Sequence, residues 1–102
     1  MLGIDLVYIP EFKRQLEQGG ATFLEKAFRA SELGNRSHEH LAGLWAAKEA
    51  VIKASGINTD HWTDVEIDYN DRGAPSGRLK NMNFNISISH QGEYAVAVAQ
   101  RL

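Results

Sequence analysis

The chain has 102 residues, 43% of them apolar and 24% charged, with a formal net charge of −2 and no cysteine. That length supports one domain, residues 1–102, burying about two-thirds of its unfolded surface, so a deep private cleft is hard to build and a site completed between subunits is expected. The balanced charge leaves no nucleic-acid stripe and no polybasic membrane patch, while the missing cysteines exclude disulfides, thiolate metal sites and a cysteine nucleophile, and fit a reducing, cytoplasmic setting.

Leu2 to Tyr8 alternates as a short strand, with Leu2, Ile4, Leu6 and Tyr8 on one face and Gly3, Asp5 and Val7 on the other. Acidic Asp5 and the lack of a long apolar run argue against a signal peptide or a membrane span here. Pro10 can open a helix over about 11–18, with Phe12 and Leu16 as its buried stripe, and Gly19-Gly20 can stop it. Phe23, Leu24, Ala27 and Phe28 suggest a second short helix, and Ser31 is placed to cap a turn at Glu32 and Leu33.

Gly34 to His40 reads as a polar loop. From about 39 to 54 the alanine-rich stretch is the strongest helix in the chain, ended near Gly56 and apolar round most of its circumference, hence central and buried. Val65 to Tyr69 alternates as a strand, and Asn70-Asp71-Arg72-Gly73 is a turn. Phe84, Ile86 and Ile88 face one way and Asn85, Ser87 and Ser89 the other. After a turn at His90-Gln91-Gly92, a strand resumes from Tyr94 to Ala99. The class is α+β: a small, mainly antiparallel sheet packed on one long central helix.

Three places carry candidate chemistry. On a helix Leu41, Trp45, Glu49 and Lys53 fall on one line at four-residue spacing. An exposed Glu–Lys pair so spaced is worth only about 0.3–0.5 kcal/mol, but on a mostly buried helix charges need partners or a metal. Asp5, on a strand face opposite an apolar row, points to solvent by default. Set against Glu49, it would instead complete a hard oxygen site of the kind Mg²⁺ takes, filled out by phosphate oxygens and water. His90, beside Ser89 and Gly92, has the chemistry to donate to a phosphate. The His38-Glu39-His40 stretch lacks the spacing of a helical zinc motif.

Gly3-Ile4-Asp5-Leu6-Val7, the run from Leu41 through Trp45-Ala46-Ala47-Lys48-Glu49-Ala50-Val51-Ile52-Lys53 to Ala54, and Ile86 to Ala95 with its Ser89-His90-Gln91-Gly92 core resemble the signature blocks of phosphopantetheinyl transferases. Their order and spacing are similar to those of the short holo-acyl-carrier-protein synthase type, and the likeness spans nearly the whole chain. It implies the fold of that family and transfer of 4′-phosphopantetheine from coenzyme A to a carrier-protein serine, with release of 3′,5′-ADP. It implies Asp5 and Glu49 as Mg²⁺ carboxylates and catalytic groups together with Lys53, and Lys48, Lys53, Ala74, Pro75, Ser89 and His90 as coenzyme A contacts. The serine proton would go to Glu49 or to a metal-bound hydroxide. It further implies an acyl carrier protein or related domain as partner, and a homotrimer with sites between protomers.

Departures from the family pattern fall at three points. Tyr8 and Glu11 stand where an acidic residue and a carrier-contacting arginine are usual, so that Lys13, Arg14 or Arg29 would have to meet an acidic carrier. Ala74 replaces a lysine in the Gly73-Ala74-Pro75 turn, and the stretch from there to His90 is short for the helix often found in it. The alternative from another class is a non-catalytic, carrier-binding relative with the same fold, although such a module would not need Asp5, Glu49, Lys53 and His90 together.

Overall fold

The computed structural model describes residues 1–102. In chain order, strand β1 (Leu2–Tyr8) runs straight into helix α1 (Ile9–Ala27), and a 3₁₀ turn at Ala30–Glu32 leads to helix α2 (His38–Ser55). A second 3₁₀ turn, Trp62–Asp64, feeds strands β2 (Val65–Tyr69), β3 (Pro75–Leu79), β4 (Met82–Gln91) and β5 (Tyr94–Arg101). The five strands form one sheet in the order β1-β5-β4-β3-β2, with every pairing antiparallel. Strands β2 to β5 are a meander, and β1 adds to its end, pairing Leu2 with Gln100 and Tyr8 with Tyr94.

Helix α2 forms as its composition dictates. Ser37 Oγ accepts from the His40 N–H at its start, and Gly56 in the left-handed region (φ 73°) ends it. It lies across the inner face of the sheet with little between the two backbones. Ala46, Ala47, Ala50 and Ala54 on the helix meet Ala95, Ala97 and Ala99 of β5, all fully buried. A Cβ on Gly3 would lie 2.0 Å from the Ala50 carbonyl oxygen, so only glycine fits there. Helix α1 behaves as expected from its glycines: Gly20 leaves the helical region (φ 54°, ψ −142°) and divides it into two stretches.

Four expectations are corrected. The apolar row of β1 faces outward: Leu2, Ile4 and Leu6 are 60–68% exposed, and Gly3, Asp5 and Val7 face α2 instead. Size decides this, because close approach of the helix admits only small residues beneath it. Strand β3 was not legible, since Pro75-Ser76-Gly77-Arg78-Leu79 lacks apolar alternation; its Gly77 and Leu79 are the buried positions. A two-residue turn at Lys80-Asn81, with Lys80 at φ 55°, joins it directly to β4, which is how the short stretch before His90 closes without a helix. His90 is in β4, paired with Ala95, and the turn itself is Gly92-Glu93. Finally, Arg29 rather than Ser31 heads the first 3₁₀ turn, where the Glu32 carboxylate accepts from the Arg29 N–H at 2.9 Å.

Candidate active site

The inward face of β1 brings Asp5 under α2, and the line Leu41-Trp45-Glu49-Lys53 runs from core to solvent along that helix. Leu41 is buried, Trp45 and Glu49 are half-buried, and the Lys53 side chain is half-exposed. Asp5 and Glu49 line one depression of about 260 Å³ with Tyr8, Glu11, Gln15 and Trp45. Lys53 Nζ donates to Asp5 Oδ1 at 3.1 Å and to the Ile4 carbonyl at 2.8 Å. Its place in the last turn of α2 also suits a cation at a helix C-terminus. Glu49 is held from the other side, where the Trp62 indole N–H donates to its Oε1 at 2.7 Å.

A second depression, of about 200 Å³, lies at the other end of α2 between His40, Gly43, Tyr69, Gly73, Pro75 and His90. His90 Nε2 is 2.9 Å from the Glu39 carbonyl oxygen, an atom that only accepts, so the ring donates there. Gly43 makes room for it, because a Cβ at that position would lie 3.0 Å from His90 Nε2 and 3.2 Å from Ile88 Cγ2. Burial, with His90 nearby, holds the His40 imidazole below its usual 6.5. The two depressions share no lining residue.

The proposed residues therefore divide. Asp5, Glu49 and Lys53 come together, and Pro75 and His90 come together elsewhere. Ser89 points to the opposite face of the sheet from His90, as successive strand residues must, and Ala74 is exposed in the turn without lining the pocket. Lys48 is corrected outright as a coenzyme A contact. It is fully buried on the far side of α2, with Nζ at 2.7 Å from Glu32 Oε1, 3.1 Å from the Trp62 carbonyl and 2.9 Å from that of Val65. Burial pulls its pKa below the ordinary lysine value against the opposing effect of Glu32. Arg29 is likewise engaged, donating to the Thr63 carbonyl at 2.9 Å, whereas Lys13 and Arg14 are exposed on α1.

Sequence reasoning missed the part played by Trp62, and with it the place of Glu11 beside the two carboxylates and of His40 and Tyr69 around His90. Trp62 sits in a 3₁₀ turn with no periodicity to announce it. Glu11 stands one helical turn past Asp5's strand, where only the strand-to-helix junction determines what it faces. No cluster of three or more histidine or acidic side chains is arranged to enclose a metal by protein groups alone.

The family model of the 4′-phosphopantetheinyl transferase superfamily matches residues 1–99, and the chain belongs to that superfamily. Its relatives narrow the class to the short holo-acyl-carrier-protein synthase type of enzyme. Proteins named holo-[acyl-carrier-protein] synthase from Verminephrobacter eiseniae and Mycobacterium bovis are 36% and 37% identical to it, each over 96% of this chain and 89% and 92% of their own. Among solved structures, the Helicobacter pylori holo-[acyl-carrier-protein] synthase in complex with coenzyme A superposes with a TM-score of 0.92 at 29% identity, covering 100% of both chains. A Chronobacterium ammoniagenes ACPS–CoA complex gives 0.81 at 34% identity, over 96% of this chain and 92% of that one. The α+β architecture and the enzyme class expected from the sequence blocks both stand. No helix is long and apolar enough to cross a membrane.

Proposed function

We propose that this enzyme transfers the 4′-phosphopantetheine arm of coenzyme A to a serine of an apo acyl carrier protein, releasing 3′,5′-ADP, with Mg²⁺ held by Asp5 and Glu49. The observation that carries the reading is the meeting of Asp5 and Glu49 at one depression, with Lys53 bonded to Asp5, drawn from a strand and a helix far apart in sequence. The donor set fits the ion. Mg²⁺ binds through one or two carboxylates and completes its shell with water and substrate phosphate, so the pair Asp5 and Glu49 suits it, with Glu11 a further carboxylate on the wall of the same depression. Bound there, it would offset the negative charge of the diphosphate.

The chain's own residues supply the rest. The serine hydroxyl gives its proton to Glu49 or to water, and its oxygen forms a bond to the phosphorus that carries pantetheine. The bond from that phosphorus to the bridging oxygen breaks, and the leaving 3′,5′-ADP takes the electron pair. Lys53, fixed by Asp5 and the Ile4 carbonyl, stands ready to stabilise that leaving phosphate. Positioning and electrostatics provide most of the rate in phosphoryl transfer. The Pro75–His90 depression takes the adenosine-phosphate end, His90 turning its Nε2–H from the Glu39 carbonyl to the phosphate. Coenzyme A as co-substrate supports a cytoplasmic location.

Because the two depressions are separate in one protomer, the complete site is assembled between copies in a homotrimer. The exposed face of β1 and β5 supports this reading: Leu2, Ile4, Leu6, Tyr8, Tyr94 and Val98 present an apolar surface of a kind that monomers rarely leave bare. Sedimentation equilibrium should return three times the chain mass; a monomer at micromolar concentration would overturn it.

The activity is tested by intact mass of an apo acyl carrier protein after incubation with this enzyme, coenzyme A and Mg²⁺. Gain of the phosphopantetheine mass, lost with EDTA and with Glu49→Gln, is expected. Full transfer by Glu49→Gln removes that carboxylate from the reaction.

A further inference from the structure

We propose that Trp62 is a positioning residue for Glu49 and thereby sets divalent-ion affinity at the carboxylate pair, an inference that rests on the metal reading above. A half-buried glutamate on a helix has several rotamers open to it, and a metal must select one. Here the selection is already made. The indole N–H donates to Glu49 Oε1 at 2.7 Å, and because an indole nitrogen only donates, the roles in that bond are unambiguous. Oε1 is thus committed to the protein and Oε2 is left for a ligand.

The indole is itself held from two directions. Its ring packs on Trp45, centroids 4.9 Å apart at 39°, and Trp45 is one helical turn before Glu49 on the same line. Its main chain is held by Lys48, whose ammonium takes the carbonyls of Trp62 and Val65, one on either side of Thr63-Asp64. Lys48 is fixed in turn by Glu32, whose other oxygen accepts from the Ile67 N–H at 3.1 Å. A buried ion pair on one side of α2 therefore sets the place of a carboxylate on the other, through the short turn at 62–64. Hydrogen-bond partners that orient metal-binding side chains commonly change metal affinity 10–100-fold when removed.

Trp62→Phe keeps an aromatic ring beside Trp45 while removing the N–H together with the pyrrole half of the indole, so support of the aromatic cluster is partly retained when the bond to Glu49 is lost. The probe is Mn²⁺, a hard ion of similar coordination taste to Mg²⁺. Its binding is followed by electron paramagnetic resonance with coenzyme A present and no carrier protein, counting only the part that Glu49→Gln abolishes. Trp62→Phe should weaken that binding by 10–100-fold. In the unaltered protein, Mg²⁺ should shift the Trp62 indole N–H resonance, and more than that of Trp45, a readout that needs no variant to fold. Mn²⁺ binding by Trp62→Phe within twofold of the parent, with Glu49→Gln still inactive in binding, overturns the role of Trp62 and leaves the metal site standing. Absence of any Glu49-dependent Mn²⁺ binding in the parent overturns both.

Discussion

Lys48 and Lys53 belong to one helix and one sequence block, yet they do opposite things. Five residues turn an α-helix through about 500°, which leaves the two side chains about 140° apart around the axis. Lys48 falls on the side facing the turn at 62–64 and β2, where no water reaches it and every donor is spoken for by Glu32, Trp62 and Val65. Lys53 falls at the rim, half-exposed, with Asp5 and the Ile4 carbonyl as partners and room beside it. A lysine that holds the fold and a lysine that can meet a phosphate thus differ in what surrounds the ammonium. Distance does not separate them: the exposed Arg78–Glu66 pair, at 2.6 Å, is as short as the buried Lys48–Glu32 pair at 2.7 Å.

The comparison can be broken most severely at Lys48. Lys48→Ala strands a buried carboxylate and two carbonyls, and unfolding in urea should show a loss of about 3–5 kcal/mol. Stability within about 1 kcal/mol of the parent would mean that water replaces the ammonium, and Lys48 would lose its structural role. Lys53→Ala should do the reverse. The thermal midpoint stays close to the parent's, while kcat/KM for carrier modification falls by about 10²–10³-fold, as for loss of a group that stabilises transition-state charge. Equal losses of stability in the two variants would erase the distinction between them.

The smallest effect belongs to Glu66→Gln. Arg78 holds the Glu66 carboxyl below its ordinary 4.5, first by their hydrogen bond and then by its charge. A depressed carboxyl stabilises the fold above its unfolded value and loses that contribution as pH falls through its folded one. Glu66→Gln should therefore leave the thermal midpoint almost unchanged at pH 7, and the slight difference from the parent should vanish in acid. A large difference at pH 7 would mean that this surface pair behaves like the buried one.

What the sequence could and could not reveal follows the same division. The long helix, its end at Gly56 and the break at Gly19-Gly20 were legible because propensity and glycine act locally. Asp5, Glu49 and Lys53 were legible as a set through the block resemblance and the four-residue spacing. The side of α2 on which Lys48 lies was not, because a helix apolar round most of its circumference gives no direction to read. Nor was the inward face of β1, where alternation points to Leu2, Ile4 and Leu6 but the close packing of Gly3 on Ala50 demands the small residues. Trp62 acts across 13 residues through a turn whose course depends on the buried Lys48, so no local pattern carries it.

The register of β1 on β5 has a consequence for the order in which the enzyme can be made. Asp5 pairs with Ala97, and β5 is the only strand to which β1 is bonded. A nascent chain that has not yet emerged past about residue 101 leaves the first carboxylate of the site on a strand without a partner. Helix α2, with Glu49 and Lys53, is complete long before that. The depression between Asp5 and Glu49 is therefore closed only when β5 pairs with β1, and a chain still short of β5 has Glu49 and Lys53 in place before the strand that carries Asp5 is held.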